Sequence, residues 1–239
     1  MSTPLQGAPV ASSRRAFFKR AGFGLGAVAV ASTIQACDSD PVDDDDAAVV
    51  LDFSNDFGVL NYAYALEQLE AAFYDTAVSA GSFGSTFNAD ERAVLDDLAA
   101  HEAIHRDFLR AAIVQAGGES AVIGALTPDF SSVNFDSRSS VLQTSLALED
   151  TGVGAYNGAG RYLESDTYLL LAGKIVSVEA RHASVIAGLL TPYAIAGDGT
   201  VTSDTALDII LRPSEVVGPN GAATPFISDT IRVTNVPSS

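Results

Sequence analysis

The sequence predicts an all-α protein, an antiparallel four-helix bundle with one long crossover between its second and third helices and an irregular C-terminal tail. Three observations carry this. Four stretches of about 25 residues place apolar side chains at helical spacing. Glycines, prolines and N-capping residues punctuate those stretches. The connections run short, long, short, which makes the first and second helices, and the third and fourth, antiparallel neighbours.

Composition sets the bounds. The chain has 239 residues, 47% apolar and 18% charged, enough for a real core. Its formal net charge of −17 argues against nucleic acid as a main partner, because phosphate binding needs a basic footprint. One Cys excludes an internal disulfide, and with three His any metal site must lean on carboxylates.

The charge is uneven. Residues 1–36 hold Arg14, Arg15, Lys19 and Arg20 and no acid, leaving 9 basic residues against 30 acidic from Cys37 onward. Residues 13–19 form a twin-arginine pattern, followed by a weakly apolar run of 14 residues over 21–34. That run is too short to cross a bilayer core of ~30 Å as a helix. Ile34-Gln35-Ala36-Cys37 resembles a bacterial lipobox with Cys37 as the lipidation site. Residues 1–36 are therefore expected to be a twin-arginine lipoprotein signal. The mature protein is expected in the periplasm or cell envelope, touching the membrane only through a lipid on Cys37. Resemblance to the twin-arginine route, which carries folded proteins, implies a cofactor site loaded before export. Residues 37–51, with their run of aspartates, are expected to be an extended acidic tether.

The bundle is expected over residues 52–190. The first helix, 56–80, carries Leu60, Ala63, Tyr64, Glu67, Ala71, Tyr74 and Val78 on one face and stops at Gly81 and Gly84. The second, 88–115, has Asn88 as N-cap and Gly117-Gly118 at its end. Residues 119–135, with Gly124 and Pro128, form the crossover. The third helix, 136–163, is capped near Asp136 or Ser137. Its Gly152, Gly154, Gly158 and Gly160 each cost ~1 kcal/mol against Ala, so either the helices approach closely there or the helix is irregular. The fourth, 166–190, ends at Thr191-Pro192. Residues 191–239, rich in Thr, Gly and Pro with a short apolar piece at 207–211, read as a tail packed on the bundle and not as a second domain.

Glu102-Ala103-Ile104-His105 and Glu179-Ala180-Arg181-His182 are both Glu-x-x-His, one on the second helix and one on the fourth. Residues i and i+3 of a helix share a face, so each motif aims a carboxylate and an imidazole the same way. Nine Glu in 239 residues give ~4% for a Glu three before any given His, so two such pairs among three His is far from chance. The first and third helices add Glu67 with Tyr74 and Glu149 with Tyr156, each pair seven residues apart and hence on one face. The chain thus carries one unit twice, Glu-x6-Tyr and then Glu-x-x-His, at offsets of 82 and 77 residues.

With these residues, and with the run Asn61-Tyr62-Ala63-Tyr64-Ala65-Leu66-Glu67-Gln68-Leu69-Glu70-Ala71-Ala72-Phe73-Tyr74, the chain resembles an exported bacterial ferritin-like domain protein, a distant relative of rubrerythrin and bacterioferritin, over roughly 53–190. The resemblance implies a carboxylate-bridged dinuclear centre of two divalent ions, Fe or Mn, with Glu67, Glu102, His105, Glu149, Glu179 and His182 as ligands. Glu67 and His105 would serve one ion, Glu149 and His182 the other, with Glu102 and Glu179 bridging. Tyr74 and Tyr156 are placed to hydrogen-bond the carboxylates. Four carboxylates and two neutral imidazoles match the charge of two divalent ions and suit Fe or Mn.

The remaining polar residues read more plainly. Glu70 is expected to be a solvated or outer acid and not a ligand, His101 a surface or interhelix histidine, and Asp150 to point sideways. Phe57, Phe73 and Phe108 are expected in the core. Two functional classes stay open: a dinuclear oxidoreductase acting on O2 or H2O2, of ferroxidase, peroxidase or catalase type, or a non-enzymatic metal-binding, storage or envelope stress-protection scaffold. Either is compatible with a homo-oligomer.

Overall fold

The computed structural model describes residues 48–238. The signal expected over 1–36, Cys37, and the tether as far as residue 47 lie outside the described residues. The fold is mostly helical, as expected. Four long helices make the bundle: α1 (Asp56–Ser79), α2 (Ala89–Gly117), α3 (Arg138–Ala159) and α4 (Asp166–Leu190). Each begins at a side-chain cap, Asn55, Asn88, Ser137 and Ser165 respectively, which accepts a hydrogen bond from an otherwise free N–H of the first turn. Asn88 and Glu91 form a reciprocal capping box. Gly118, at φ 79°, ends α2 in a conformation that strains any residue with a Cβ.

Side-chain contacts fix the directions. Gly117 at the end of α2 lies against Phe57 at the start of α1. Arg138 at the start of α3 donates to the Leu189 carbonyl at the end of α4, 2.7 Å. Both pairs are therefore antiparallel. The crossover runs along α1, held by amides that act as a surrogate backbone. Asn61 donates to the Ala121 carbonyl and accepts from the Ile123 N–H, and Gln68 accepts from the Leu126 N–H.

Two features depart from the expectation. Residues 49–51, expected at the end of the tether, belong to strand β1 (Val49–Asp52), which pairs in parallel with β2 (Ile231–Thr234) near the C-terminus. Leu51 is fully buried in that strand, so an apolar side chain has drawn the end of the acidic segment into the core. The third helix is also shorter than expected, starting at Arg138 and giving way after Ala159 to a 3-10 turn at Gly160–Tyr162.

The glycines of α3 are explained by what lies on them. The tail crosses α3 at Leu211, whose N–H donates to the Gly154 carbonyl at 2.9 Å. A Cβ on Gly158 would stand 1.8 Å from the Leu211 carbonyl oxygen. The helix is smooth where the chain's own C-terminal segment is laid across it. Gly152 faces inward instead, toward Glu70.

Candidate metal centre

The middle turns of the four helices meet in a layer of charged groups inside an otherwise apolar core. Glu67 from α1, Glu102 from α2, Glu149 from α3 and Glu179 from α4 are each 0% exposed, and His182 is 4% exposed. His105 keeps 13% of its side chain exposed. All six expected ligands therefore converge inside the bundle.

The distances divide them into two overlapping sets. His105 Nδ1 lies 3.5 Å from Glu67, 3.3 Å from Glu102 and 2.8 Å from Glu179. His182 Nδ1 lies 2.7 Å from Glu102, 3.5 Å from Glu149 and 3.2 Å from Glu179. Glu102 and Glu179 belong to both sets, and within each set the ligating atoms lie within 4.8 Å of one another. One Nδ1 carries at most one proton and cannot hydrogen-bond three carboxylates. Correspondingly, Glu67 Oε2, Glu102 Oε1, Glu149 Oε2 and Glu179 Oε1 are buried with no hydrogen-bond partner of good geometry, although two of them are the oxygens closest to an imidazole. A buried carboxylate oxygen without a donor is costly. Four facing the same two ring nitrogens form a cluster that can hold metal ions.

The tyrosines hold the other oxygens, crosswise. Tyr74 of α1 donates to Glu149 Oε1 of α3, and Tyr156 of α3 donates to Glu67 Oε1 of α1, each at 2.5 Å. Each tyrosine shares a face with its own helix's glutamate yet reaches the opposite one, because α1 and α3 run antiparallel. The Ser145 hydroxyl lies 2.5 Å from the Tyr74 oxygen and completes that chain.

Metal-free, the cluster has a mixed titration. Burial alone would lower the His105 pKa, but the carboxylates of Glu102, Glu179 and Glu67 gathered around its Nδ1 outweigh it and push the imidazole up to about 12. His182 is likewise pushed up to about 12, burial being outweighed by Glu102, Glu149 and Glu179. Burial would raise Glu102, but the two imidazoles outweigh it and pull its carboxyl down to about 2. Glu149 goes the other way. Burial, reinforced by the charges of Glu102 and Glu179 and partly offset by His182, raises it to about 8. Glu67 is raised by burial and by Glu179. Burial thus favours the neutral form of the carboxyls furthest from the imidazoles, while the surrounding carboxylates favour the charged form of the imidazoles.

Two residues outside the expected ligand set lie beside it: His101 is an exposed interhelix histidine, as expected, and Glu70 an outer acid that is buried instead of solvated. Glu70 is 2% exposed, with Oε2 lacking a partner, and is not a solvated acid. Its spacing of three from Glu67, the same as within Glu-x-x-His, was the available signal. His101 sits between helices, its Nδ1 3.0 Å from His182 Nε2 and the two ring planes 16° apart. His101, Ile104, His105, Val178, Arg181 and His182 line a concavity of about 310 Å³ between α2 and α4, so both imidazoles border one opening. Asp150 points away, toward Gly197 of the tail. Phe73 is fully buried, whereas Phe57 and Phe108 are half-buried beside a second apolar cluster.

A four-helix bundle that gathers carboxylates from all four helices and imidazoles from two defines a class of helical proteins whose core can hold metal ions. The sequence profile described as ferritin-like domain matches residues 55–192, and the chain belongs to that family. No curated protein matches it.

Proposed function

We propose that the protein binds a carboxylate-bridged pair of divalent ions, Fe or Mn, and uses them in redox chemistry on O2 or H2O2 at the cell envelope. The observation that carries this reading is the set of four buried, unpartnered carboxylate oxygens facing two imidazole Nδ1 atoms. Glu67 and His105 would hold one ion and Glu149 and His182 the other. Glu102 and Glu179, common to both sets, would bridge. Four carboxylates then balance two divalent charges, and both imidazoles serve as neutral ligands. When bound, a pair of redox-active ions supplies the two electrons that reduce H2O2, with two protons, to two waters.

The chain's own part is to hold and to admit. Tyr74 and Tyr156 fix the orientation of the two terminal glutamates by donating to the oxygens turned away from the cluster. The opening at His101, His105 and Arg181 gives small polar species a path from solvent. On the Tyr156 side, an apolar cavity of about 30 Å³ bordered by Leu60, Ala63 and Ala172 suits a small apolar molecule such as O2. Arg14-Arg15 and Cys37 support delivery of the folded protein to the periplasmic side and attachment through lipid.

The test is metal analysis of protein recovered from its native export route, followed by measurement of peroxide consumption. About two ions per chain with turnover supports the enzyme. Two ions without turnover moves the reading to metal binding or storage, and substoichiometric metal after reconstitution refutes the centre.

A further inference from the structure

The doubled unit makes the two halves of the cluster comparable residue by residue. An offset of 82 residues carries Glu67 onto Glu149 and Tyr74 onto Tyr156, and one of 77 carries Glu102 onto Glu179 and His105 onto His182. Under the same offsets Glu70 falls on Gly152 and His101 falls on Val178. These two polar residues beside the centre therefore have no polar counterpart in the other half.

His101 Nδ1 lies 3.0 Å from the Nε2 of His182, whose Nδ1 faces the carboxylates. With Nδ1 committed to a cation, Nε2 carries the proton and donates it to His101 Nδ1. That hydrogen bond fixes the tautomer, sets the ring plane and makes Nδ1 a better donor to a metal. In the other half the matching position is Val178, whose side chain offers His105 no acceptor. Glu70 acts on the same side. Its Oε1 occupies the room left by Gly152, where a Cβ would come within 2.9 Å, and Gly152 lies one turn from Glu149 on α3. The Glu70 carboxylate is thus brought toward Glu149, buried and with Oε2 unpartnered.

We infer that the two metal positions are not equivalent. The half built on Glu149 and His182 is the tighter position for a divalent cation and fills first, and His101 and Glu70 are the positioning residues that make it so. The inference rests on the dinuclear reading above.

The experiment is an anaerobic titration of the full-length, metal-free protein with Mn²⁺, following free Mn²⁺ by its paramagnetic resonance and heat by calorimetry. Wild type should bind in two resolved steps with affinities at least ~10-fold apart. His101→Val, which copies the other half, should weaken the first step ~10–100-fold and leave the second unchanged, so that the two steps merge. His101→Gln, whose amide oxygen still accepts from Nε2, should keep them apart. Glu70→Gln should narrow the gap from the same side. His101 is exposed, so its variants should fold, and matching helical circular dichroism checks this. Two steps of equal affinity in wild type, or a His101→Val variant that shifts both steps alike or neither, overturns the inference and leaves the dinuclear centre standing. Failure of wild type to bind any Mn²⁺ overturns both.

Discussion

Replacing Glu149 with Gln should change the stability of the metal-free and metal-loaded proteins in opposite directions. Glu149 is fully buried, and burial with the charges of Glu102 and Glu179 raises its pKa from 4.5 to about 8. A carboxyl whose folded pKa lies above its unfolded one contributes stability that is complete below about 4.5. That contribution is lost as pH rises toward about 8, because the unfolded chain releases the proton first. The slope is ~1.4 kcal/mol per pH unit, so the metal-free wild type should lose up to ~5 kcal/mol from this one group between those limits. Glutamine imitates the protonated carboxyl, and its amide oxygen still accepts from Tyr74. The variant should match wild type near pH 4.5 and become the more stable protein by pH 8 when a chelator is present. With Fe²⁺ or Mn²⁺ the order should reverse, because the variant lacks one anionic ligand. Urea unfolding followed by circular dichroism at four or five pH values, with and without metal, reads both effects. If metal-free wild type and variant run parallel across this range, Glu149 does not share its site with other buried carboxylates, and the reasoning fails.

Other consequences test neighbouring parts of the argument. Tyr74→Phe and Tyr156→Phe should each cost ~1–3 kcal/mol in thermal unfolding, because each strips the donor from a buried glutamate oxygen. Gly158→Ala places a Cβ where the Leu211 carbonyl sits and should lift the tail from α3, costing roughly 1–3 kcal/mol and opening residues after 191 to limited proteolysis. Replacing Arg14 and Arg15 together with Lys should block export, seen as precursor accumulating in the cytoplasm. Cys37→Ala should convert a membrane-bound mature form into a soluble one, and wild type that fractionates as soluble would remove the lipid anchor from the account.

The bundle and the core of its centre were legible in the sequence because both are matters of local periodicity. A helix converts spacing into facing, so Glu-x-x-His and Glu-x6-Tyr state which side chains share a side before any tertiary contact is known. Repetition of the unit then implies that the two sides face each other. Local spacing says nothing about which helix stands opposite a given residue. That is why the tyrosine hydrogen bonds cross between α1 and α3, why His101 meets His182, and why Glu70 is buried against Gly152. Each depends on the antiparallel register of helices far apart in the chain. The same holds for the tail. Gly154 and Gly158 announced in the sequence either a close approach of helices or an irregular helix, and it took the docking of Leu211 to show that the missing side chains are space for the tail's backbone. Residues 49–51 read as the end of an acidic tether because charge dominates their surroundings, yet Leu51 and the pairing of β1 with β2 draw them into the fold. The partner strand lies about 180 residues away, where no local pattern could announce it.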